Sequence, residues 1–271
     1  MIKYKIIDTL RATGTLKFVD WGKYWLHRIN VLPANIRFKR NNPDFPLPPP
    51  DLAFDAYNGV DWHNYRDVGA VHASIFADIV KRTHPPGELS ILEWGCGPGR
   101  LIRNMRGLFD GYNLQLTGTD YNPRTIEWCS KNLPEIDFHL NELMPPLPFP
   151  DEQYDLVYCF SVFTHLSEEA QKAWAAELKR LVKPGGVFIC TTHGEDCRHL
   201  LTSQEDIDTY EAGQVVLKGK YVEGKKWYLA VHPERFVREV LMAGFTDVNR
   251  EILGEDKSIM QDVWAGTKPD E

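Results

Sequence analysis

Residues 91–100 read ILEWGCGPGR, with glycine at 95, 97 and 99 directly after a short apolar run that ends in one acid, Glu93. Glycine loses more backbone entropy on folding than any other residue, so three in alternation imply a sharp turn and a close approach by something else. Gly95 allows the chain to turn, while Gly97 and Gly99 leave bare backbone, with N–H groups and a helix start aimed at a ligand. The spacing is G-x-G-x-G. It is neither the G-x-G-x-x-G of dinucleotide sites nor a phosphate loop, since no lysine follows. Glu93 would repel a pyrophosphate and welcome an ammonium or sulfonium. Some twenty residues on, LTGTDYNP ends a second apolar run in Asp120. An ionised carboxylate there can accept both hydroxyls of a ribose diol. The expected ligand therefore has a ribose, a cationic centre and no phosphate, which describes S-adenosylmethionine better than NAD or ATP.

The elements that would hold these residues alternate. SILEW, LQLTGTD, IDFHL, YDLVYCF and GVFICTT have the length and apolar content of buried strands. Helical segments separate them: RLIRNMRGL, PRTIEWCSKNL and SEEAQKAWAAELKRLV, the last with Ser167 as N-cap. PERFVREVLMAG is expected as a helix, and TDVNREIL and QDVWAGTK as closing strands. NYRDVGAVHASIFADIVKR, before the glycines, carries helical apolar spacing. The alternation predicts an α/β fold, a doubly wound, mostly parallel sheet. The proline-rich segment PDFPLPPPD at 43–51 should run extended.

Four motifs in order resemble the class I S-adenosylmethionine-dependent methyltransferases: ILEWGCGPGR, LTGTDYNP, LPFPDEQYDLVYCFSVFTHL and ELKRLVKPGGVFICTT. The likeness covers about residues 90–192. It implies a seven-stranded sheet with an antiparallel last strand and S-adenosyl-L-methionine as cofactor. It also implies a polar group after the third strand to hold the adenine, with Asn141 and Glu142 as candidates. LPPPDLAFDAYN and QDVWAGTKP are similar to a bacterial subgroup found with glycan or natural-product biosynthesis. The cofactor set is then Glu93, Gly95, Gly97, Gly99, Asp120, Asn141 and Glu142.

Methyl transfer to a hydroxyl requires loss of a proton, and histidine is the usual base near neutral pH. His193 after the fifth strand and His165 after the fourth are the candidate catalytic residues; His232 lies before the last helix. Residues 194–231 form an insertion, read as a short helix and a hairpin turning at VEGKK, a lid over the strand tips. Tyr210, Tyr221, Trp227 and Tyr228, with His232, are the candidate acceptor-binding residues. The N/D-P-P-Y/F motif of base and amide methyltransferases is replaced by CFSVF, and no acids cluster near strands four and five for a metal. The expectation is metal-free O-methylation of a sugar, glycan end or small metabolite. N-methylation of a small molecule and a non-catalytic partner protein remain as alternatives.

Composition bounds the rest. The chain has 271 residues, 43% hydrophobic and 25% charged, and a net charge of −7. No apolar run approaches the roughly 20 residues of a membrane span, and the start lacks the apolar core of a signal peptide. Five cysteines, odd in number and without C-x-x-C spacing, argue against a disulfide framework or a zinc site. A cytoplasmic location follows as an expectation. Residues 1–40 hold nine Lys or Arg against two Asp, so the remainder is strongly acidic, which disfavours nucleic acid as partner. The expected domains are residues 1–63, a basic aromatic extension, and 64–271, the cofactor-binding domain. The extension, with FVDWGKYWLHRINVL as a short helix, is read as a peripheral membrane or subunit contact.

Overall fold

The structure, a computed structural model, describes residues 2–219, 223–252 and 259–270. The chain divides into two compact units, Lys17–Asn141 and Met1–Leu16 with Glu142–Glu271. One seven-stranded sheet has the order β3-β2-β1-β4-β5-β9-β8. Its strands are β1 (Glu88–Trp94), β2 (Asn113–Asp120), β3 (Asp137–Leu140), β4 (Tyr154–Cys159), β5 (Val182–Thr192), β8 (Thr246–Glu251) and β9 (Asp262–Thr267). β6 (Val216–Lys218) and β7 (Leu229–Val231) form a separate antiparallel pair.

In the unit Lys17–Asn141, β1 pairs in parallel with β2, and β2 with β3. Every residue of β1 after Glu88 is buried, as a central parallel strand requires. α5 (Trp62–Lys81) starts at Asp61, whose Oδ1 accepts from the N–H groups of His63 and Asn64. Its buried residues Trp62, Tyr65, Gly69, Ala73, Phe76 and Val80 recur every three or four positions, one helical face. α6 (Ile102–Leu108) and α7 (Pro123–Asn132) follow β1 and β2; Asn122 caps α7 and Pro123 opens it. The basic arm is more ordered than a single short helix. α1 (Ile2–Ala12), α2 (Leu16–Asn30) and α3 (Leu32–Asn41) occupy almost all of it. The proline-rich segment, expected to run extended, first turns over residues 43–45, where Phe45 N–H donates to the Asn42 carbonyl at 3.3 Å, and has no regular structure over 46–49. Pro50 then opens α4 (Pro50–Tyr57), where a missing N–H costs nothing because the first-turn amides have no helical partner.

In the other unit, β4 and β5 are parallel, and β9 runs antiparallel to both β5 and β8. α8 (Glu168–Leu181) is capped by Ser167, carries Glu168 and Glu169 in its first turn, and ends on Lys179 and Arg180. Gly186 at the KPGG turn has no room for a side chain: a Cβ would meet the Lys183 carbonyl at 2.9 Å. The expected last helix begins as α10 (Glu234–Phe236) but widens into a π-helical turn over Val237–Leu241. The insertion after β5 contains α9 (Gln204–Glu211), closed by a Ser203–Asp206 capping box, and the β6–β7 pair. The expected hairpin turn, VEGKK at 222–226, begins at a residue outside those described; β6 and β7 on either side of it pair antiparallel.

α1 is clamped to this insertion. Lys218 Nζ donates to Asp8 Oδ2 (2.7 Å), to Thr202 Oγ1 (2.9 Å) and to the Leu200 carbonyl (2.7 Å), and it pairs with Asp206 at 2.8 Å. Arg11 Nε donates to the Trp227 carbonyl at 2.9 Å. Burial pushes the Asp206 carboxyl up, but Lys218 and the amides of Thr202 and Ser203 outweigh it and hold the group below its ordinary value. Lys218→Ala removes the cation shared by Asp8 and Asp206, leaving Asp8 with Arg11 and Asp206 with backbone amides. It is expected to destabilise the protein by about 2 kcal/mol, read as a lower midpoint in urea unfolding. It should also speed proteolysis between 200 and 230.

Candidate functional site

The glycine loop owes its shape to backbone sign. Gly95, Gly97 and Gly99 have φ of +72°, +50° and +70°, the left-handed region that side chains disfavour. The alternation in sequence is thus an alternation of left-handed residues. The N–H groups of Gly95 and Cys96 both donate to the Thr119 carbonyl at 2.8 Å, tying the loop to the end of β2. One residue on, Asp120 is 8% exposed; its Oδ2 accepts from Gly97 N–H (2.9 Å) and its Oδ1 from Asn122 N–H (2.8 Å). Glu93 is buried beneath the loop, and its Oε2 accepts from Ile102 N–H, the start of α6. Asn141 N–H donates to the Asp120 carbonyl at 3.1 Å, which places it at the same strand end. Glu142 is exposed.

Residues of α4 and α5 complete this cradle, and sequence reasoning missed them. A Cβ on Gly97 would lie 3.0 Å from the Tyr57 hydroxyl and 3.2 Å from Ala56, so the bare face of Gly97 looks at α4. Tyr57 Oη accepts from Arg100 N–H at 3.3 Å, and the Arg100 guanidinium lies 4.4 Å over the Tyr57 ring. Tyr65 Oη donates to the Pro98 carbonyl at 2.7 Å. Burial pushes the Tyr65 hydroxyl up to about 12, so it stays a donor. The only sequence signal was the density of aromatics in DAYNGVDWHNY, which carries no spacing rule. The set fits S-adenosylmethionine. One carboxylate at the end of β2 suits a ribose diol, a second lies at the end of β1, and Gly97 and Gly99 lack side chains where Tyr57 and Leu133 pack against the loop.

A second polar cluster lies at the ends of β4 and β5. Ser161, just past β4, has φ +62°, a strained value for a residue with a side chain. Its N–H donates to Thr191 Oγ1 (2.8 Å). Thr191 Oγ1 in turn donates to Gln261 Oε1 (2.5 Å), and Gln261 Nε2 donates to Ser161 Oγ (2.8 Å). His193 joins this ring of bonds, its Nε2 3.1 Å from Gln261 Nε2. His193 Nδ1 bonds the Ala230 carbonyl (3.1 Å), and His165 Nδ1 bonds the Tyr228 carbonyl (2.9 Å). A carbonyl only accepts, so both rings carry their proton on Nδ1, and Nε2 is the acceptor nitrogen of each. The two carbonyls are two residues apart, at the bend that enters β7 and within it, so β7 and its entry orient both histidines. Burial, then the His165 charge, lower His193 to about 4.

The remaining candidates go elsewhere. His232 is buried, its Nε2 bonded to Gln171 Oε1 at 3.1 Å, and burial lowers it to about 3. It acts as a core histidine. Tyr210 packs with Val216, Leu229 and Val231 in the core of the insertion. The Tyr228 side chain is 3% exposed, and Trp227 is half-buried with its carbonyl on Arg11. Tyr221 lies outside the described residues. All five cysteines are buried and none is in a disulfide. Among the described residues no three His, Cys, Asp or Glu side chains gather to hold a metal.

Sheet order, left-handed glycine loop and paired acid define a nucleoside-binding α/β domain. Residues 91–186 match the family model described as a methyltransferase domain. A probable S-adenosylmethionine-dependent methyltransferase of Mycolicibacterium smegmatis is 33% identical over 102 residues, 38% of this chain and 37% of that protein. The 2-methyl-6-phytyl-1,4-hydroquinone methyltransferase of Synechocystis sp. is 32% identical over 110 residues, 40% of this chain and 32% of that protein. The crystal structure of an S-adenosylmethionine-dependent methyltransferase from Methanosarcina mazei superposes with a TM-score of 0.51. It is 18% identical and covers 71% of this chain and 98% of that one, a likeness of fold. The match spans about a third of the length of these curated relatives. Residues 91–186 thus carry a methyltransferase domain, and the proteins this stretch is similar to are S-adenosylmethionine-dependent, which makes S-adenosylmethionine the cofactor of that domain.

Two outcomes are expected. Asp120→Ala should weaken S-adenosylmethionine binding by about 2–3 kcal/mol in calorimetry. It should also lower the thermal midpoint, since two backbone amides lose their acceptor; unchanged affinity removes Asp120 from the ribose site. The second concerns acid. His193 and His232 fold with pKa values of about 4 and about 3, below the unfolded value of about 6.5. As pH falls through that value the unfolded chain takes up protons that the folded one refuses. Stability is therefore full above about pH 6.5 and lost progressively down to pH 3–4. His232→Gln should flatten that fall, measured as thermal midpoint against pH.

Proposed function

We propose that the protein transfers a methyl group to a hydroxyl of a sugar, a glycan end or a small metabolite. The observation that carries this reading is the pair His165 and His193, tautomers set by two carbonyls at β7 and its entry, each with Nε2 as acceptor. Bound S-adenosylmethionine would supply an electrophilic methyl on a sulfonium, held by Asp120, the glycine loop and Asn141. A histidine Nε2 would take the proton of the acceptor O–H as that oxygen is methylated, which would leave S-adenosylhomocysteine and a methyl ether.

His165 is the base in this reading. A base works best with a pKa near the working pH, and His193 is held at about 4. His193 instead fixes the ring of bonds through Gln261, Ser161 and Thr191, which presents hydroxyl and amide groups to a polar acceptor. A cleft of about 290 Å³ in the same unit, lined by Glu195, Arg198, Tyr210, Arg235, Arg250 and Asp262, supports a sugar. Carboxylates and guanidiniums are groups that bind sugar hydroxyls; the Tyr210 ring packs in the insertion core with the Arg198 guanidinium 5.2 Å over it. Mass spectrometry of candidate acceptors for a gain of one methyl tests the activity. His165→Ala should lower turnover roughly 10²–10⁴-fold with cofactor affinity nearly unchanged. Near-normal turnover in that variant, with a large loss in His193→Ala, moves the base to His193.

A further inference from the structure

Residues 17–41 invert the usual polarity of a surface helix. α2 and α3 run almost continuously, because Val31 between them keeps helical angles and the bonds Val31 N–H to His27 O and Asn35 N–H to Val31 O bridge the join. One side of this rod packs on its own unit. Tyr24 meets Phe54 edge-on at 5.2 Å, His27 Nδ1 accepts from Val60 N–H, and Phe38 is fully buried. Asn35 donates to the Val60 carbonyl and accepts from Trp62 N–H.

The opposite side carries Phe18, Trp21, Trp25, Ile29, Leu32 and Ile36, spaced by three or four residues and so in one stripe. Their exposures are 68, 68, 42, 65, 52 and 59%. One exposed apolar side chain needs no explanation, but a continuous stripe of six marks a surface that meets something apolar. Exposed cations flank it, Lys17, Arg28, Lys39 and Arg40 among them, and Asp20 is the one acid in residues 17–41. Lys17 lies 5.3 Å over the Phe18 ring and Arg28 5.2 Å over Trp25, so charge and apolar surface are interleaved.

We propose that this stripe lies in the interface of an anionic lipid surface, with its aromatics and aliphatics among the acyl chains and its cations on the headgroups. Tryptophan beside Lys and Arg suits that depth. Among the described residues no helix is long and apolar enough to cross a membrane, so the rod lies on the surface and does not span it. A second copy of the chain is a poorer occupant, because pairing the stripe with itself sets six Lys or Arg against six more. The chain as a whole is at −7, so attraction to an anionic surface must come from this arm.

The test is co-sedimentation of the full chain with phosphatidylcholine vesicles, with and without phosphatidylserine. Binding is expected with phosphatidylserine at low salt, falling steeply as salt rises. Trp21→Glu with Ile29→Glu should lower it at least tenfold with an unchanged circular dichroism spectrum, since both side chains point away from the fold. Lys39→Ala with Arg40→Ala should lower it several-fold while leaving the stripe intact. No sedimentation with anionic vesicles at low salt overturns the proposal. So does a dimer in analytical ultracentrifugation that Ile29→Glu dissociates while vesicle binding is unchanged.

Discussion

The hydrogen bond from Gly97 N–H to Asp120 Oδ2 joins the two features from which a nucleoside site is built, a backbone that turns left-handed and an acid at the end of the next strand. Each needs the other. The loop is three left-handed glycines with little intrinsic preference for one shape, and Asp120 and the Thr119 carbonyl supply the fixed acceptors that select it. Asp120 in turn is held at 8% exposure by the amides it accepts, so its oxygens have a set direction before any ligand arrives. Pre-set polar groups spend less of a ligand's binding energy on ordering. Tyr57 and Tyr65 close the arrangement from the side of α4 and α5, the first accepting from Arg100 N–H and the second donating to the Pro98 carbonyl.

A comparable economy governs the other polar cluster. Tyr228 at the entry to β7 and Ala230 within it offer carbonyls two positions apart, and each fixes the tautomer of a histidine from a different strand end. The insertion therefore sets the tautomers of both rings. If β7 shifts, both rings lose the acceptor that keeps the proton on Nδ1. The protonation pattern of the two rings and the seating of β7 are the same event described at two scales.

Much of the fold was legible because its signals are local. Strand SILEW before alternating glycines, Ser167 before an acidic helical turn and KPGG before GVFICTT each carry their own stereochemical reason. Asp120 could be placed by its distance along the chain from the loop. Other elements were not legible, for three separate reasons. α4 hid behind a run of prolines, because a helix tolerates proline only at its first turn and the pattern reads as extended until then. The roles of Tyr57, Tyr65, Ser161, Thr191 and Gln261 depend on contacts between distant segments. Tyr210 and His232 carry the right side-chain chemistry for a site, but their burial in packing is a property of three dimensions that no spacing encodes.

The clamp between α1 and the insertion spans 210 positions, from Asp8 to Lys218. During synthesis α1 precedes Lys218 by 210 positions. Lys17–Asn141 can assemble as a block while α1 still waits, since the bonds described for α1 run to residues after 200. Closing so large a loop comes late, as contacts of high sequence separation do. α1 is therefore a latch set last.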